Sequence, residues 1–187
     1  MAMPNIYSQP RAKPANPLRS IAGVIDSAKS GYLPLFATTL GMRCDEFSKL
    51  PPEDLIDMAS QSALRSDSLA SGLPDLFVPL VEMLWEHQSC DDKYSRLIAH
   101  AIACGCFGQR HLWQDLGLSG KEETSELLAR RFYRLYIRNV GNLRWKRFIF
   151  RELGLRFGIS ELLPPGCRDC EDYQFCFDQH NDRNIGA

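Results

Sequence analysis

Apolar residues recur along this chain at spacings of three and four, the period of an α-helix, whereas the alternation of a half-buried strand is scarce. Leu18, Ile21, Ala22 and Ile25 fall on one stripe and predict a helix over residues 18–28, with Gly31 as a natural stop. Residues 33–42 are apolar but ambiguous in type. Pro52, followed by two acids, suits a helix N-terminus, where proline's missing amide costs nothing and acids meet the positive end of the dipole. That helix should run over residues 52–64. A further helix is expected over 75–87, with Pro79 tolerated only in its first turn.

The stretch 92–107 carries Leu97, Ile98, Ala101, Ile102 and Ala103 and should form the central buried helix. Ser119 and Glu122 have the spacing of a capping box, so a helix should open there and run to about Arg138. A last helix over 142–157 delivers the chain through Gly158 to Pro164-Pro165-Gly166, a rigid turn.

The predicted fold class is all-α: one compact helical domain over residues 18–187, ending in a loop-rich cysteine segment at 162–180. A length of 187 residues and 44% apolar content suffice for one buried core. Residues 1–17 contain four prolines and few large apolar side chains, which predicts a disordered lead. The lead lacks the apolar region of a signal peptide, and no stretch approaches the roughly 18 apolar residues that span a bilayer. The expectation is a cytoplasmic protein with no membrane partner. Cysteines stay reduced in that compartment, so clusters of them read as metal or redox sites, and an odd count of seven agrees.

The net charge of −1 hides an asymmetry, because nine basic residues between Arg130 and Arg156 face Glu152 alone. The plain reading is a set of surface cations paired with acidic neighbours. The sharper one is an anion site near Arg144, Lys146 and Arg147, since clustered positive charge concentrates negative ligands. Trp145 among these cations could stack on bases, but no recognisable reading motif accompanies it, so no nucleic acid is expected.

Candidate chemistry concentrates in Cys167, Cys170 and Cys176, three thiols within ten residues. A C-x2-C pair in a tight turn brings two sulfurs to one side, and Cys176 can close a third corner. With His180 these make a possible Cys3His zinc site, which would fix an interaction module. Alternatively, three cysteines can hold an iron–sulfur cluster and leave one corner for another ligand. A dithiol redox pair is a third reading, disfavoured by the lack of a thioredoxin-like pattern. A second constellation, His100, Cys104, Cys106 and His111, offers further ligands; His100 and Cys104 share a helix face, although buried free cysteines usually pack as small hydrophobes. Cys44 and Cys90 read as structural. The chain has no Gly-rich phosphate loop, HExxH or nucleophile elbow, so it is not expected to be an enzyme.

The stretches 99–108, 111–118 and 138–146, followed by the terminal cysteines, resemble the NifQ family over about residues 75–177. That resemblance implies a protein of nitrogen fixation that carries molybdenum within an iron–sulfur cluster toward the iron–molybdenum cofactor of nitrogenase. It implies Cys167, Cys170 and Cys176 as cluster ligands, with molybdate as the metal's oxyanion source. It also implies the scaffold and reductase components of cofactor assembly as partners. The family pattern is C-x4-C-x2-C-x5-C, and Leu162 stands where its first cysteine belongs.

Overall fold

The computed structural model describes residues 17–47, 72–89, 94–168, 170 and 172–177. All regular structure among them is helical: α1 (Pro17–Lys29), a 3-10 turn (Leu35–Thr39), α2 (Cys44–Phe47), α3 (Phe77–Glu86), α4 (Ser95–Cys106), α5 (Leu112–Asp115), α6 (Lys121–Arg131), α7 (Tyr133–Tyr136), α8 (Trp145–Arg156) and α9 (Tyr173–Phe177). The expected all-α class is therefore observed. The proline-rich lead, the helix expected over 52–64, Cys90 and His180 lie outside the described residues, as does the side chain of Cys44.

The most apolar stretch does form the central element. Every residue of α4 except Arg96 is buried, because α1, α3, α5 and the 3-10 turn all pack on it. At its end Phe107 joins an aromatic chain, 5.9 Å from Phe36, 6.0 Å from Phe77 and 5.9 Å from Phe150, which ties the 3-10 turn, α3 and α8 together. Edge-on and tilted ring pairs of this kind each add about 0.5–1.5 kcal/mol beyond burial alone. Pro79 falls at the third position of α3, within the first turn as required.

Three boundaries differ from expectation. The helix expected to reach Arg138 breaks at Phe132, whose backbone leaves the helical region (φ −136°, ψ 50°) while its ring is wholly buried. Ser89 stabilises the break: its amide donates to the Arg131 carbonyl (2.7 Å) and its hydroxyl accepts the Tyr133 amide (2.8 Å). The box at Ser119 is displaced by one residue, since Glu123 rather than Glu122 accepts the Ser119 amide, at 2.7 Å. The last helix starts at Trp145 because the Asn139 side chain brackets Leu143, accepting its amide and donating to its carbonyl, both at 2.9 Å. Tertiary packing and side-chain bonds override helical propensity at each point.

The start of α8 is fastened to α6. Trp145 donates its indole N–H to Ser125 Oγ (2.9 Å) and stacks on Tyr136 at 5.8 Å. This anchorage sets the direction from which Arg144, Lys146 and Arg147 leave the helix.

Candidate functional site

A cleft of about 730 Å³, part of it open to solvent, lies between the turn after α4, the start of α8 and the cysteine loop. Cys167, Cys170 and Cys176 all line it, together with His111, Trp113, Lys121, Arg144, Lys146 and Arg147. The three thiols, close along the chain, thus all lie on the wall that the cysteine loop gives to this cleft. Backbone bonds build that wall: the Cys167 amide donates to Pro164 O (3.1 Å), Cys170 to Cys167 O (3.2 Å), Tyr173 to Cys170 O (2.9 Å) and Cys176 to Asp172 O (2.9 Å).

Gly166 explains how closely the loop docks. A Cβ there would sit 2.3 Å from the Gly108 carbonyl oxygen and 2.8 Å from Gln109 Cα, so only glycine allows the loop backbone to lie on the turn after α4. Beneath the contact is a buried ion pair. Lys146, 7% exposed, donates from Nζ to Asp115 Oδ2 and to the Gly108 carbonyl, both at 2.9 Å. Asp115, fully buried, also accepts from Arg110 Nε at 3.0 Å, and Arg110 reaches Ser27 Oγ at 2.9 Å. One carboxylate therefore joins α1, the turn after α4, α5 and α8.

This network corrects the expectation for Lys146. It is not an exposed attractor of anions but a structural cation whose charge is matched. Much of the basic run is likewise paired with acids: Arg130 with Glu126, Arg138 and Arg151 with Glu152, and Arg156 with Glu86. Arg144 and Arg147 turn to the cysteine loop. Arg144 meets Asp172 Oδ2 at 3.3 Å, and Arg147 donates to the Cys176 carbonyl and lies 4.6 Å from the Phe177 ring centre. His111 Nε2 approaches the same Asp172 oxygen at 3.1 Å, with its ring stacked parallel to Trp113.

Cys167 and Cys176 are held as protonated thiols. Burial pushes Cys167 up to about 11, against the partial counter-effect of Lys146, and the neighbouring Cys170 and Cys176 push it further. Burial also raises Cys176, with Arg144 and Arg147 opposing. Soft cations bind thiolates, so loading this wall must release protons, and the adjacent cations lower that cost. Among the described residues no three His, Cys, Asp or Glu side chains stand close enough to hold a metal ion. Three soft thiols are a donor set of the kind that suits a thiophilic metal or cluster.

The second constellation divides. His111 belongs to the cleft. His100 does not: it lines a separate cleft beside Phe77, Val81, Trp85 and Arg96, its Nδ1 paired with Leu40 O at 2.9 Å. Burial lowers its pKa, so the ring is held neutral. Cys104 is fully buried in the core, its thiol pushed well up by desolvation. Cys106 is also fully buried, and burial raises its thiol to about 12, with Lys146 opposing. Leu162 is absent from the described cleft lining. It packs against the core, its Cβ 2.9 Å from where a Cβ on Gly154 would stand. Sequence reasoning missed Asp172 and Asp115, because a single aspartate carries no pattern; only its partners reveal it.

The NifQ family model matches residues 20–178, a span that begins within α1 and includes α2 through α9 and every described residue of the cleft. The chain belongs to the NifQ family. It is 32% identical to Protein NifQ of Azotobacter vinelandii over 74% of this chain and 76% of that protein. It is also 33% identical to Protein NifQ of Rhodobacter capsulatus over 64% of this chain and 72% of that one. The Protein NifQ homolog of Sinorhizobium fredii shares 37% identity over 51% of this chain and 41% of the relative. No solved structure gives a significant match. Membership of the NifQ family supports a role in nitrogen fixation. No helix among the described residues of this NifQ protein is long and apolar enough to cross a membrane.

Proposed function

We propose that this protein is a molybdenum carrier: a cytoplasmic donor, not an enzyme, that holds molybdenum within an iron–sulfur cluster and delivers it to iron–molybdenum cofactor assembly. The observation that carries the reading is that Cys167, Cys170 and Cys176 line one cleft together with Arg144, Arg147 and His111. Soft thiolates suit iron, sulfide and molybdenum, while flanking cations offset the negative charge that a thiolate-bound cluster accumulates. Cargo must also leave. Three protein ligands on a short, partly exposed loop leave part of the metal's coordination to a partner, as delivery to a scaffold or a reductase component requires.

The position of Leu162 bears on this reading. Its side chain packs toward α8, and Cys167, Cys170 and Cys176 are the described thiols that line the cleft. The test is anaerobic elemental analysis of the native protein beside a variant with all three cysteines changed to alanine. Molybdenum with iron, lost in the variant, supports the carrier. A single zinc would instead favour a metal-stabilised interaction module, and absence of any metal would refute both.

A further inference from the structure

Arg144, which lines the cleft, is already paired with an anion of the chain itself. Asp172 stands just ahead of α9, one turn before Cys176, and its carboxylate is 37% exposed. It takes His111 Nε2 at 3.1 Å and Arg144 at 3.3 Å, two donors from separate segments of the chain. The deeper cations are committed differently, since Lys146 and Arg110 both belong to Asp115. No carboxylate appears among the described residues that line the cleft. His111 Nε2 and the Arg144 guanidinium therefore form a small two-donor seat whose present occupant is the Asp172 carboxylate of the cysteine-bearing segment.

We propose that this seat binds a tetrahedral oxyanion, and that Asp172 is its displaceable occupant. Entry is an exchange of ions: a dianion replaces a monoanion on the same two donors, the carboxylate turns out to water, and no covalent bond, proton or electron moves. The stronger charge of the entering ion favours the exchange, and the exposure of Asp172 makes its release inexpensive. The exchange also unfastens one of the ties between α9 and the rest of the cleft. Arg147 on the Cys176 carbonyl and the contact of Arg144 with the Phe175 ring, at 5.5 Å, remain. Cys176 thereby gains freedom without leaving the cleft, as the oxyanion arrives beside it. The identity of the physiological anion as molybdate rests on the carrier reading; the seat rests on the geometry of His111, Arg144 and Asp172.

The test uses the metal-free, full-length protein, reduced and anaerobic, titrated calorimetrically with molybdate and separately with sulfate. Asp172→Asn removes the competing charge and should tighten both anions about five- to tenfold, the combined worth of the part-exposed Arg144 ion pair and the His111 hydrogen bond. Arg144→Gln should weaken both. A variant with Cys167, Cys170 and Cys176 changed to alanine should still bind sulfate. Equal or weaker binding in Asp172→Asn would overturn the proposal, because a carboxylate that only scaffolds the loop cannot be a competitor. Loss of sulfate binding in the triple-alanine variant would overturn it as well. Should Asp172→Asn disturb α9, Asp172→Ser provides the same comparison with a side chain suited to a helix start. In the wild type, saturating sulfate, which does not ligate thiols, should speed alkylation of Cys176 several-fold; slowing would count against the exchange. Metal content is read separately. Normal molybdenum and iron loading with no effect of Asp172 removes the seat alone, whereas anion binding without any metal loading removes the carrier reading alone.

Discussion

Replacing Lys146 with methionine tests whether the basic run serves structure or ligand attraction at its deepest point. Methionine keeps most of the stem and removes only the ammonium, leaving Asp115 fully buried with Arg110 as its remaining charged partner and Gly108 O without its donor. Uncoupling one member of a buried pair costs about 3–5 kcal/mol. Arg110 still holds one oxygen of Asp115 at 3.0 Å, so the lower end, about 3 kcal/mol, applies here. For a chain of this size that loss lowers the midpoint of thermal unfolding by roughly 6–12 °C. Calorimetry or circular dichroism on metal-free protein measures it. The pair also predicts coupling: Lys146→Met combined with Asp115→Leu should cost clearly less than the sum of the single changes, since the double variant leaves only the part-exposed Arg110 without its carboxylate. A single-variant shift below about 3 °C, or strict additivity, would refute the reasoning and return Lys146 to the role of a solvated cation.

Further outcomes follow from the loop and from the buried thiols. Gly166→Ala places a methyl 2.3 Å from the Gly108 carbonyl, so the loop should lift from the turn after α4; metal content should fall sharply while the unfolding midpoint moves by only a few degrees, about 1–2 kcal/mol. Leu162→Cys restores the family spacing but at a site that faces Gly154, so elemental analysis should show no added iron or molybdenum and stability should drop by about 1 kcal/mol; a gain in bound metal would show that residue 162 reaches the cleft. Cys106 stays protonated in the fold up to about 12 against 9.0 for an ordinary thiol, so its stabilising contribution is complete below pH 9 and is lost as pH rises toward 12. Cys106→Ala should flatten that alkaline decline in denaturant titrations, and an unchanged slope would contradict the assigned burial. His100, held neutral by burial, should give the opposite limb: its contribution is present above pH 6.5 and lost as pH falls through its lowered value.

Much of this fold was legible as pattern. The helical period identified α1, α3, α4 and α8, and the continuous apolar run of α4 announced its central position, because a helix buried all round must be apolar all round. Pro79 was readable through a rule about amides rather than about partners. Boundaries were less legible where a distant side chain intervened, as Ser89 does at Phe132. The candidate site divides in the same way. Three cysteines at short spacing declared themselves and do line one cleft. His100 and His111 looked equivalent along the chain, yet one faces Trp85 and the other faces Asp172.

What the sequence determined by itself was local: helical periodicity, the thiol cluster, and an excess of cations between Arg130 and Arg156. These depend on residues within a few turns of one another, where backbone geometry fixes who can be neighbours. What tertiary structure decided was which charges are already neutralised. Lys146 and Asp115 are 31 positions apart and Arg144 and Asp172 are 28 apart. A cation's availability to a ligand depends on the free energy of the partner it already has, and that partner is chosen by packing rather than by position along the chain. The basic run thus reads as one feature in sequence and becomes two in space: a buried support at Lys146, and a guarded seat at Arg144 beside the cysteines.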